Sequence, residues 1–447
     1  MPLVERETFA GCWPLIRRNE ERERLSFEEN RAQQWASLKA VLTHAYETTD
    51  FYRQRFDKAG VQPADVNSLA DLQAIPPLTR DDLRSRLPDL CSRSFRAAQL
   101  AHSATGGTTD TPVRFLRDRA CLAKKMAAQT RFNAWAGMLP GDKVFYLWGA
   151  RSDYAENPSW RWRLYDRYLM RRIWAPTSSL NPATFESYRE ILNRFRPDII
   201  YAYPTPLALF AEYLAQCGRP VYAPRAVIVT AETLLQAQRG VIEQALGCRV
   251  FEHYGSREFG MIAGECEAHN GLHLNPGSAF VELVPLPGNA DLCEVIVTDL
   301  LNYGMPLIRY RSNDCALPRN EQCTCGRGYP LLGRISGRVA DTFVLPNGDL
   351  VPGVALTNRV LQVCPGLRKT QIVQEEIDRF RLRFVPGEGF TNSDLEILRD
   401  GLSRFVTVPV RWEFESVTDI ERERSGKTRF CISRVPLDRA MQARSGS

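Results

Sequence analysis

Between residues 142 and 255 the sequence alternates short apolar runs with longer stretches in which apolar residues recur at helical spacing. We interpret DKVFYLWG, PDIIYAYP, RAVIVTAE and RVFEHYG as strands, and PATFESYREILNRF, PLALFAEYLAQCG and LLQAQRGVIEQAL as helices. Strands and helices that alternate in this way form βαβ units, in which parallel strands share one sheet covered by helices. The predicted fold class is therefore α/β, and ligands on such sheets bind beyond the carboxyl ends of the strands.

The regions on either side of this alternation differ from it. The first hundred residues look helical, and a further helix is predicted from about residue 115 to 137. After Asp341 come short extended pieces (TQIVQ, RLRFV, VRWEF and RFCIS) around one helical stretch, NSDLEILRDGLSRF, which is typical of a small α+β domain. A chain of 447 residues is also too long for one simple core. We therefore predict a large domain over residues 1–338 and a small C-terminal domain over residues 339–447.

Composition narrows the class of partner. With 44% hydrophobic and 25% charged residues the chain is typical of a globular protein, and its net charge of +6 suits anionic small molecules without demanding nucleic acid. No run of about 18 uncharged apolar residues predicts a membrane span. Glu5 and Arg6 precede any apolar run, which argues against a signal peptide. Twelve cysteines without a disulfide rhythm indicate reduced thiols and a cytoplasmic location, and a homodimer is left open.

A loop rich in glycine and hydroxyl groups, SATGGTTDTP, runs from Ser103 to Pro112 between two stretches that look extended. The backbone N–H groups of such a loop are suited to wrapping phosphate oxygens. A polar hairpin turn uses the same residue types, so the loop alone does not distinguish a phosphate cradle from a turn. The rest of the chain has to supply the other parts of nucleotide chemistry.

A second stretch, SGKT at 425–428, looks like the end of a Walker A motif. That motif requires a glycine five residues before Gly426, where its phosphate-binding loop begins. This sequence has Glu421 there. The Walker interpretation is therefore excluded.

Five stretches stand in a distinctive order: SATGGTTDTP, HYGSRE at 253–258, RYRSND at 309–314, GRISGRVAD at 333–341 and RSGKTR at 424–429. Their order and spacing resemble the adenylate-forming ligase superfamily, and most of all its phenylacetate–CoA ligase and CapK-like branch. The N-terminal segments HAYETTDFYRQRFDKAGV and LADLQAIPPLTRDDLR resemble that branch too, so the likeness spans nearly the whole chain. It implies that ATP and a carboxylic acid form an acyl-adenylate and pyrophosphate, and that the acyl group then passes to an acceptor.

The resemblance assigns roles to individual residues. It places Tyr254 against the adenine and Glu258 on a magnesium ion. Asp314 would accept hydrogen bonds from the ribose hydroxyls, and Arg338 would lie near the ribose and phosphate at the domain hinge. Lys427, on a small domain that rotates, would reach the carboxylate and α-phosphate during adenylation. The remaining ATP or AMP contacts that it implies are Ser103, Thr105, Gly106, Gly107, Thr108, Thr109, Ala231, Glu232, Glu252, Gly255 and Ser256.

Two positions depart from the family pattern. Arg257 replaces a small hydroxyl residue that often meets the α-phosphate, although an arginine is also able to contact phosphate. The hinge acid usually stands two residues after the hinge arginine, but that position is Ala340 and an acid, Asp341, comes next. The family pattern therefore does not assign the hinge to one residue, and it leaves the division into domains unchanged.

Cysteine and histidine residues predict a second kind of site. Cys323 and Cys325 form a C-x-C pair, and Cys266 is followed by His269 and His273. Three thiolates and one imidazole make a closed tetrahedral set for structural zinc. The resemblance favours His273 over His269 as the fourth ligand. The alternative is that these cysteines are simply reduced and unpaired.

The sequence determines the acyl acceptor and the acid substrate less closely than it determines the first half-reaction. The resemblance favours CoA as the acceptor and an aryl or arylacetic acid as the substrate. An amine, a carrier-protein thiol or a glycan hydroxyl would use the same first step. Two further alternatives are AMP transfer to the product, as in coenzyme F390 synthetases, and a non-catalytic nucleotide-binding scaffold.

Overall fold

The computed structural model describes residues 12–104, 113–148, 164–177, 180–287, 289–364, 366–387, 389–406, 408–421 and 429–436. The loop residues Thr105 to Thr109 and the predicted catalytic Lys427 lie outside this part of the chain. None of the described helices is long and apolar enough to cross a bilayer.

The N-terminal segment is helical, as predicted. Its helices are α1 (Trp13–Glu23), α2 (Phe27–Thr48), α3 (Asp50–Ala59), α4 (Leu69–Gln73), α5 (Arg80–Ser85) and α6 (Leu87–Leu90). α2 begins at a capping box, in which Ser26 and Glu29 each satisfy the backbone N–H of the other. Leu38, Leu42 and Ala45 lie on one face of this helix at helical spacing and are fully buried. The segment therefore packs one apolar side against the large sheet described below.

The glycine loop is carried by a hairpin. Strands β1 (Leu100–Ala104) and β2 (Arg114–Asp118) pair antiparallel, which confirms that the loop is flanked by extended chain. The helix predicted from about residue 115 begins later, as α7 (Arg119–Trp135). Two contacts cause the difference: residues 114–118 pair with β1, and the Asp118 carboxylate caps the helix by accepting the Cys121 N–H at 2.7 Å.

An eleven-stranded mixed sheet forms the centre of the large unit, with strand order β10-β11-β12-β13-β9-β8-β7-β6-β5-β3-β4. The parallel strands are β3 (Val144–Trp148), β4 (Arg172–Pro176), β5 (Ile199–Ala202), β6 (Ala226–Thr230) and β7 (Arg249–Ser256). The antiparallel strands are β8 (Gly260–Glu265), β9 (Leu272–Leu274), β10 (Ala279–Leu286), β11 (Asn289–Asp299), β12 (Tyr310–Pro318) and β13 (Leu331–Arg338). The predicted α/β fold is confirmed, and the sheet extends beyond its parallel half.

Both faces of the parallel half are covered. The helices α8 (Pro182–Phe195), α9 (Pro204–Cys217) and α10 (Gln236–Leu246) pack on one face, where Val250 of β7 is buried among their apolar residues. Phe251, the next residue, lies on the opposite face with Ala136, just beyond the end of α7. Because successive strand residues point to opposite faces, β7 alternates between the two layers.

The C-terminal residues form a smaller unit with its own sheet, of order β18-β17-β16-β19. Its elements are β14 (Thr342–Val344), β15 (Leu350–Pro352), α11 (Gly353–Val363), β16 (Leu367–Glu376), β17 (Arg379–Pro386), α12 (Asn392–Phe405), β18 (Arg411–Ser416) and β19 (Cys431–Ser433). An apolar core that includes Phe343, Phe380 and Leu398 lies entirely within this unit. The predicted small α+β texture is confirmed, whereas the boundary at residue 338 stays a prediction.

A buried ion pair anchors α7 to the large sheet. The Lys125 ammonium group donates to Asp299 Oδ2 at 2.6 Å and to the backbone carbonyl oxygen of Glu258 at 2.5 Å. Asp299 is fully buried at the end of β11, and its other oxygen accepts the Leu301 N–H at 2.9 Å. One lysine therefore joins a helix, the end of an antiparallel strand and the turn that follows β7.

Removing one partner of this pair would leave the other charge buried and unpaired. We expect Lys125→Met to lower the free energy of unfolding by about 3–5 kcal/mol. The double variant K125M/D299N should lose less, since it buries no lone charge. Denaturant unfolding measures both, with Lys124→Met as the control because Lys124 lies half-buried on the same helix. A single variant as stable as this control would contradict the anchoring role.

Candidate functional site

A cavity of about 460 Å³ opens at the carboxyl ends of β5, β6 and β7, the edge predicted to bind ligand. Residues from the HYGSRE, RYRSND and SGRVAD stretches all contribute to its wall. The predicted residues that line it are Ala231, Glu232, Glu252, Tyr254, Gly255, Ser256, Glu258, Asp314 and Arg338. Strands far apart in the sequence thus bring most of the described nucleotide-site predictions to one place.

Tyr254 and Asp314 meet directly in this cavity. The Tyr254 hydroxyl donates to Asp314 Oδ2 at 2.7 Å, and burial together with this carboxylate raises the pKa of the tyrosine well above its ordinary value. Asp314 and Arg338 face each other as paired residues of β12 and β13. The Asp314 N–H is held by the Ser312 hydroxyl at 3.1 Å. The aromatic ring, the acid and the arginine are therefore arranged by strand register.

A tight turn after β7 presents Glu258. Gly255 has no room for a side chain, because a Cβ there would lie 2.4 Å from the Gly260 carbonyl oxygen. The Ser256 hydroxyl accepts the Phe259 N–H at 3.2 Å and closes the turn. The Glu258 carboxylate is largely buried and accepts a long hydrogen bond, 3.5 Å, from the Tyr310 hydroxyl. This glutamate is thus fixed at the cavity wall with oxygen atoms of the kind that magnesium prefers.

The TAE segment turns sharply below the cavity. Ala231 has φ of +72°, the left-handed region that side chains other than glycine rarely adopt. The Glu232 carboxylate turns toward the start of α9 and accepts the Thr205 N–H at 3.1 Å, where the helix N-terminus favours negative charge. The Glu232 side chain is thus engaged with the helix, and Ala231 and Glu232 both line the cavity.

Glu252 lies beside a second buried acid. Burial, followed by repulsion from Glu265, raises the pKa of the Glu252 carboxyl to about 8. Glu265 instead accepts two hydrogen bonds from Arg239, at 2.8 and 2.9 Å, and the Glu252 N–H at 2.7 Å. Glu265 therefore keeps its charge, and Glu252 lines the cavity as a neutral acid at pH 7.

The start of the glycine loop is held next to the cavity. Arg117 of β2 donates to the Ser103 hydroxyl and, at 3.5 Å, to the backbone carbonyl of Arg257. The Arg257 guanidinium donates to the Ala104 carbonyl oxygen at 3.4 Å and lines the cavity itself. The departure at position 257 thus supplies a contact between the end of β1 and the turn that carries Glu258.

Several lining residues were not predicted from the sequence. On the α7 side of the sheet the wall consists of residues from α7, the strand ends and β8. We refer to these six residues, most of which have aromatic rings, as the aromatic wall. They are Gln129, Trp148, Tyr201, Tyr203, His253 and Met261. Trp148 and Tyr203 lie at or just after the ends of predicted strands, so strand-end position was the available signal.

The small unit also reaches the cavity. Arg429 and Phe430 line it, together with Asp341. The Arg429 guanidinium donates to Asp341 Oδ1 through Nε at 2.9 Å and through Nη2 at 2.6 Å. Asp341, the acid displaced by one position from the family hinge, is therefore engaged by the segment that follows Lys427.

The predicted metal ligands come together at a separate place. Ligand atoms of Cys266, His273, Cys323 and Cys325 all lie within 4.8 Å of one another. The Cys266 and Cys323 sulfur atoms are 3.6 Å apart, and Cys325 Sγ is 3.3 Å from His273 Nε2. Tetrahedral zinc with ordinary bond lengths would give edges of about 3.5–3.8 Å, so this donor set fits the ion.

The structure also separates the two candidate histidines. His269 Nδ1 lies 3.5 Å from Glu265 Oε2, and its ring packs against Phe251. It is therefore outside the cluster. Burial lowers the pKa of His273 to about 4, which keeps its imidazole neutral as a metal requires.

The protonation of Glu252 predicts a pH dependence of stability. Its pKa is raised from an ordinary 4.5 to about 8, so the folded state keeps a proton that the unfolded state loses. Stability from this group is full below about pH 4.5 and falls as the pH rises toward 8. Glu252→Gln has no proton to lose.

We therefore expect the unfolding free energy of Glu252→Gln to fall less than that of the parent between pH 5 and 8. Chemical unfolding at several pH values measures this, with exposed Glu396→Gln as the control. Parallel profiles for parent and Glu252→Gln would show that Glu252 is ionised in the folded protein.

Known proteins share both the sequence and the fold. Residues 343–434 match the family model of the CapK C-terminal domain. Protein CapK of Staphylococcus aureus is 24% identical over 393 residues, which cover 87% of this chain and 86% of CapK. Phenylacetate–coenzyme A ligase of Escherichia coli K12 is 29% identical over 344 residues, covering 74% and 76%.

Solved structures extend the likeness to the whole fold. A 2-hydroxyisobutyryl-CoA ligase in the postadenylation state, in complex with R3-HIB-AMP, superposes with a TM-score of 0.75 at 22% identity. The superposition covers 96% of this chain and 94% of that ligase. The homologues of this chain are thus CapK and the phenylacetate–CoA ligases, and its fold is that of the adenylate-forming CoA ligases.

Proposed function

We propose that this protein is an AMP-forming acid–CoA ligase. One observation carries the proposal: a single cavity gathers the Tyr254–Asp314 pair, Glu258 and Arg338, the residues that adenylate chemistry needs. Phenylacetate–CoA ligases among the homologues support it, as does the shared fold of a ligase bound to an acyl-adenylate. The first half-reaction joins a carboxylate to AMP and releases pyrophosphate.

Nucleotide binding follows from the cavity wall. The Tyr254 ring offers a face for the adenine, and Asp314 offers carboxylate oxygens to the ribose hydroxyls, as the family resemblance implies. Their mutual hydrogen bond fixes both before ligand arrives, which reduces the ordering needed on binding. The loop from Ser103 to Thr109 would hold the β- and γ-phosphates.

Adenylation brings two anions together, so positioning and charge neutralisation dominate its catalysis. Glu258 would hold Mg²⁺, and the ion would neutralise phosphate charge. The Arg257 and Arg338 side chains, which line the cavity, place positive charge on the same wall. Lys427 would offset the charge that develops as the carboxylate oxygen meets the α-phosphorus and pyrophosphate leaves.

The second half-reaction requires the lysine to withdraw. We assign the small unit, residues 339–447, to a domain that rotates near Arg338 to Asp341. The Arg429–Asp341 contact places the segment after Lys427 at the cavity, as an adenylating arrangement requires. Rotation would then admit the CoA thiol, which attacks the acyl carbon and releases AMP.

We propose an aryl or arylacetic acid as the substrate, since its ring suits the aromatic wall. CoA is the acceptor that the homologues favour, and a pyrophosphate-release screen of acids with and without CoA tests both choices. A cytoplasmic location and small-molecule partners, rather than nucleic acid, remain predictions. A stable adenylylated product in place of free AMP would instead indicate AMP transfer.

We assign structural zinc to Cys266, His273, Cys323 and Cys325. The four protein ligands would complete a tetrahedral set, so the ion would hold chain segments together and take no part in acyl transfer. The cluster packs against Phe132 and Trp135 of α7, behind the cavity. Its effect on activity would thus be indirect.

Lys427→Ala tests the proposed catalytic role. We expect carboxylate-dependent ATP–pyrophosphate exchange to fall by about 10²-fold or more, the scale for losing an electrostatic stabiliser. Thioester formation from supplied acyl-adenylate should change far less, because the lysine is away from the cavity in that step. Exposed Lys58→Ala is the control. An equal fall in both half-reactions would show that Lys427 serves another role.

Metal analysis tests the zinc assignment. We expect one zinc per chain in the parent protein and none in Cys323→Ser. Loss of zinc should lower the melting temperature before it reduces exchange activity. Half-buried Cys217, which lies outside the cluster, provides Cys217→Ser as the control with full zinc content. Absence of zinc from protein purified without chelators would end the assignment.

A further inference from the structure

His253 is a buried polar residue on the aromatic wall. It follows Glu252 on β7 and therefore points to the opposite face of the sheet, toward α7. Only 3% of the residue is exposed, yet it lines the same cavity as Tyr254 and Asp314. The imidazole is thus shielded from bulk water but open to a bound ligand.

The imidazole lacks a good partner. Neither ring nitrogen makes a hydrogen bond of acceptable geometry to the residues that the structure describes. Burial lowers the pKa of His253 to about 4, and it outweighs the Glu265 carboxylate and a contact with the Phe132 backbone, which both raise the pKa. A neutral imidazole has one donor and one acceptor nitrogen, so at least one is left for the cavity. Leaving such a group unpaired is unfavourable.

The rings near His253 are aromatic, and the Glu265 carboxylate lies near enough to act on the charge of the imidazole. The Tyr201 ring centre lies 6.3 Å from the His253 ring centre. The ring centres of Trp148 and Tyr203 lie 4.4 Å from each other. The Gln129 side-chain nitrogen donates to Asn133 Oδ1 at 2.9 Å and to the Tyr201 hydroxyl at 3.5 Å. None of the six aromatic-wall residues carries a fixed charge at neutral pH. Of the six wall residues that the structure describes, His253 is thus one whose ring nitrogens are both buried and without a hydrogen bond of acceptable geometry.

We propose that the acid substrate carries a hydroxyl group which hydrogen-bonds to His253 while its carbon skeleton packs on the aromatic wall. This inference rests on the proposed ligase function and names its substrate class as hydroxylated, ring-bearing acids. A hydroxyl group both donates and accepts, so it pairs with either imidazole tautomer. None of the six wall residues would offer a cation to a second carboxylate, which disfavours dicarboxylic acids at this wall.

Matched substrate pairs test the inference. The pairs are phenylacetate with 4-hydroxyphenylacetate, benzoate with 3- and 4-hydroxybenzoate, and hexanoate with 6-hydroxyhexanoate. ATP–pyrophosphate exchange is measured with the parent, His253→Leu and His253→Gln, since leucine removes the hydrogen bond and glutamine keeps one at similar size. We expect the parent to favour a hydroxylated aromatic acid by about tenfold or more in kcat/KM.

His253→Leu should abolish that preference and His253→Gln should retain part of it, with KM for ATP unchanged in both. His253→Leu should also melt no lower than the parent, because it removes an unpaired buried polar group. A marked fall in its melting temperature would instead show a structural role and overturn the inference.

The remaining outcomes separate the two proposals. The role of His253 is overturned if the parent prefers unsubstituted acids, or if His253→Leu keeps the preference for hydroxylated acids. Either result leaves the ligase function unaffected. The first of these results would mean that ordered water satisfies the imidazole. If the folded parent protein catalyses no exchange with any acid, the ligase function and the inference are both contradicted.

Discussion

The buried contact of Lys125 with Asp299 and the Glu258 carbonyl fixes the geometry on which the cavity depends. α7 supplies one wall, β7 supplies the floor, and the turn after β7 carries the magnesium-binding candidate. A lysine ammonium group withdrawn from water must be neutralised and fully hydrogen-bonded, which allows few arrangements of these three elements. Gln129 of the aromatic wall and the backbone of Glu258 are positioned relative to each other because α7 carries the one and binds the other through Lys125.

Much of the local structure could be predicted from sequence, because it depends on near neighbours in the chain. The alternation of strands and helices from Val144 to Ser256 follows from apolar periodicity. The α+β character of the small unit was likewise predicted from its short extended pieces. The nucleotide-site residues were predicted through family resemblance, and the structure places Tyr254, Asp314 and Arg338 on one cavity. Their roles stay predictions, as does that of Lys427.

What the sequence could not predict depends on contacts between distant segments. The antiparallel extension of the sheet is set by pairings such as β13 with β9, which no local pattern encodes. The start of α7 was misplaced because residues 114–118 alone do not show that they pair with β1. No role was predicted for His253 of HYGSRE, because the lack of a hydrogen-bond partner for its imidazole among the described residues is evident only once α7 packs above it. Arg257 likewise gained a meaning from its contact with Ala104.

The metal cluster has a consequence for how the nucleotide site is assembled. Cys266 and Cys323 are 57 positions apart, and the intervening chain includes β12 with Asp314. A bound ion would close this long loop in the folded chain, and its binding free energy would add to that of folding, because the site does not exist in the unfolded chain. Asp314 would then lie on a strand within a segment whose ends, at Cys266 and Cys323, are held near each other. Loss of such an ion would therefore weaken the support of the strand that carries Asp314, although none of the four ligands lines the cavity.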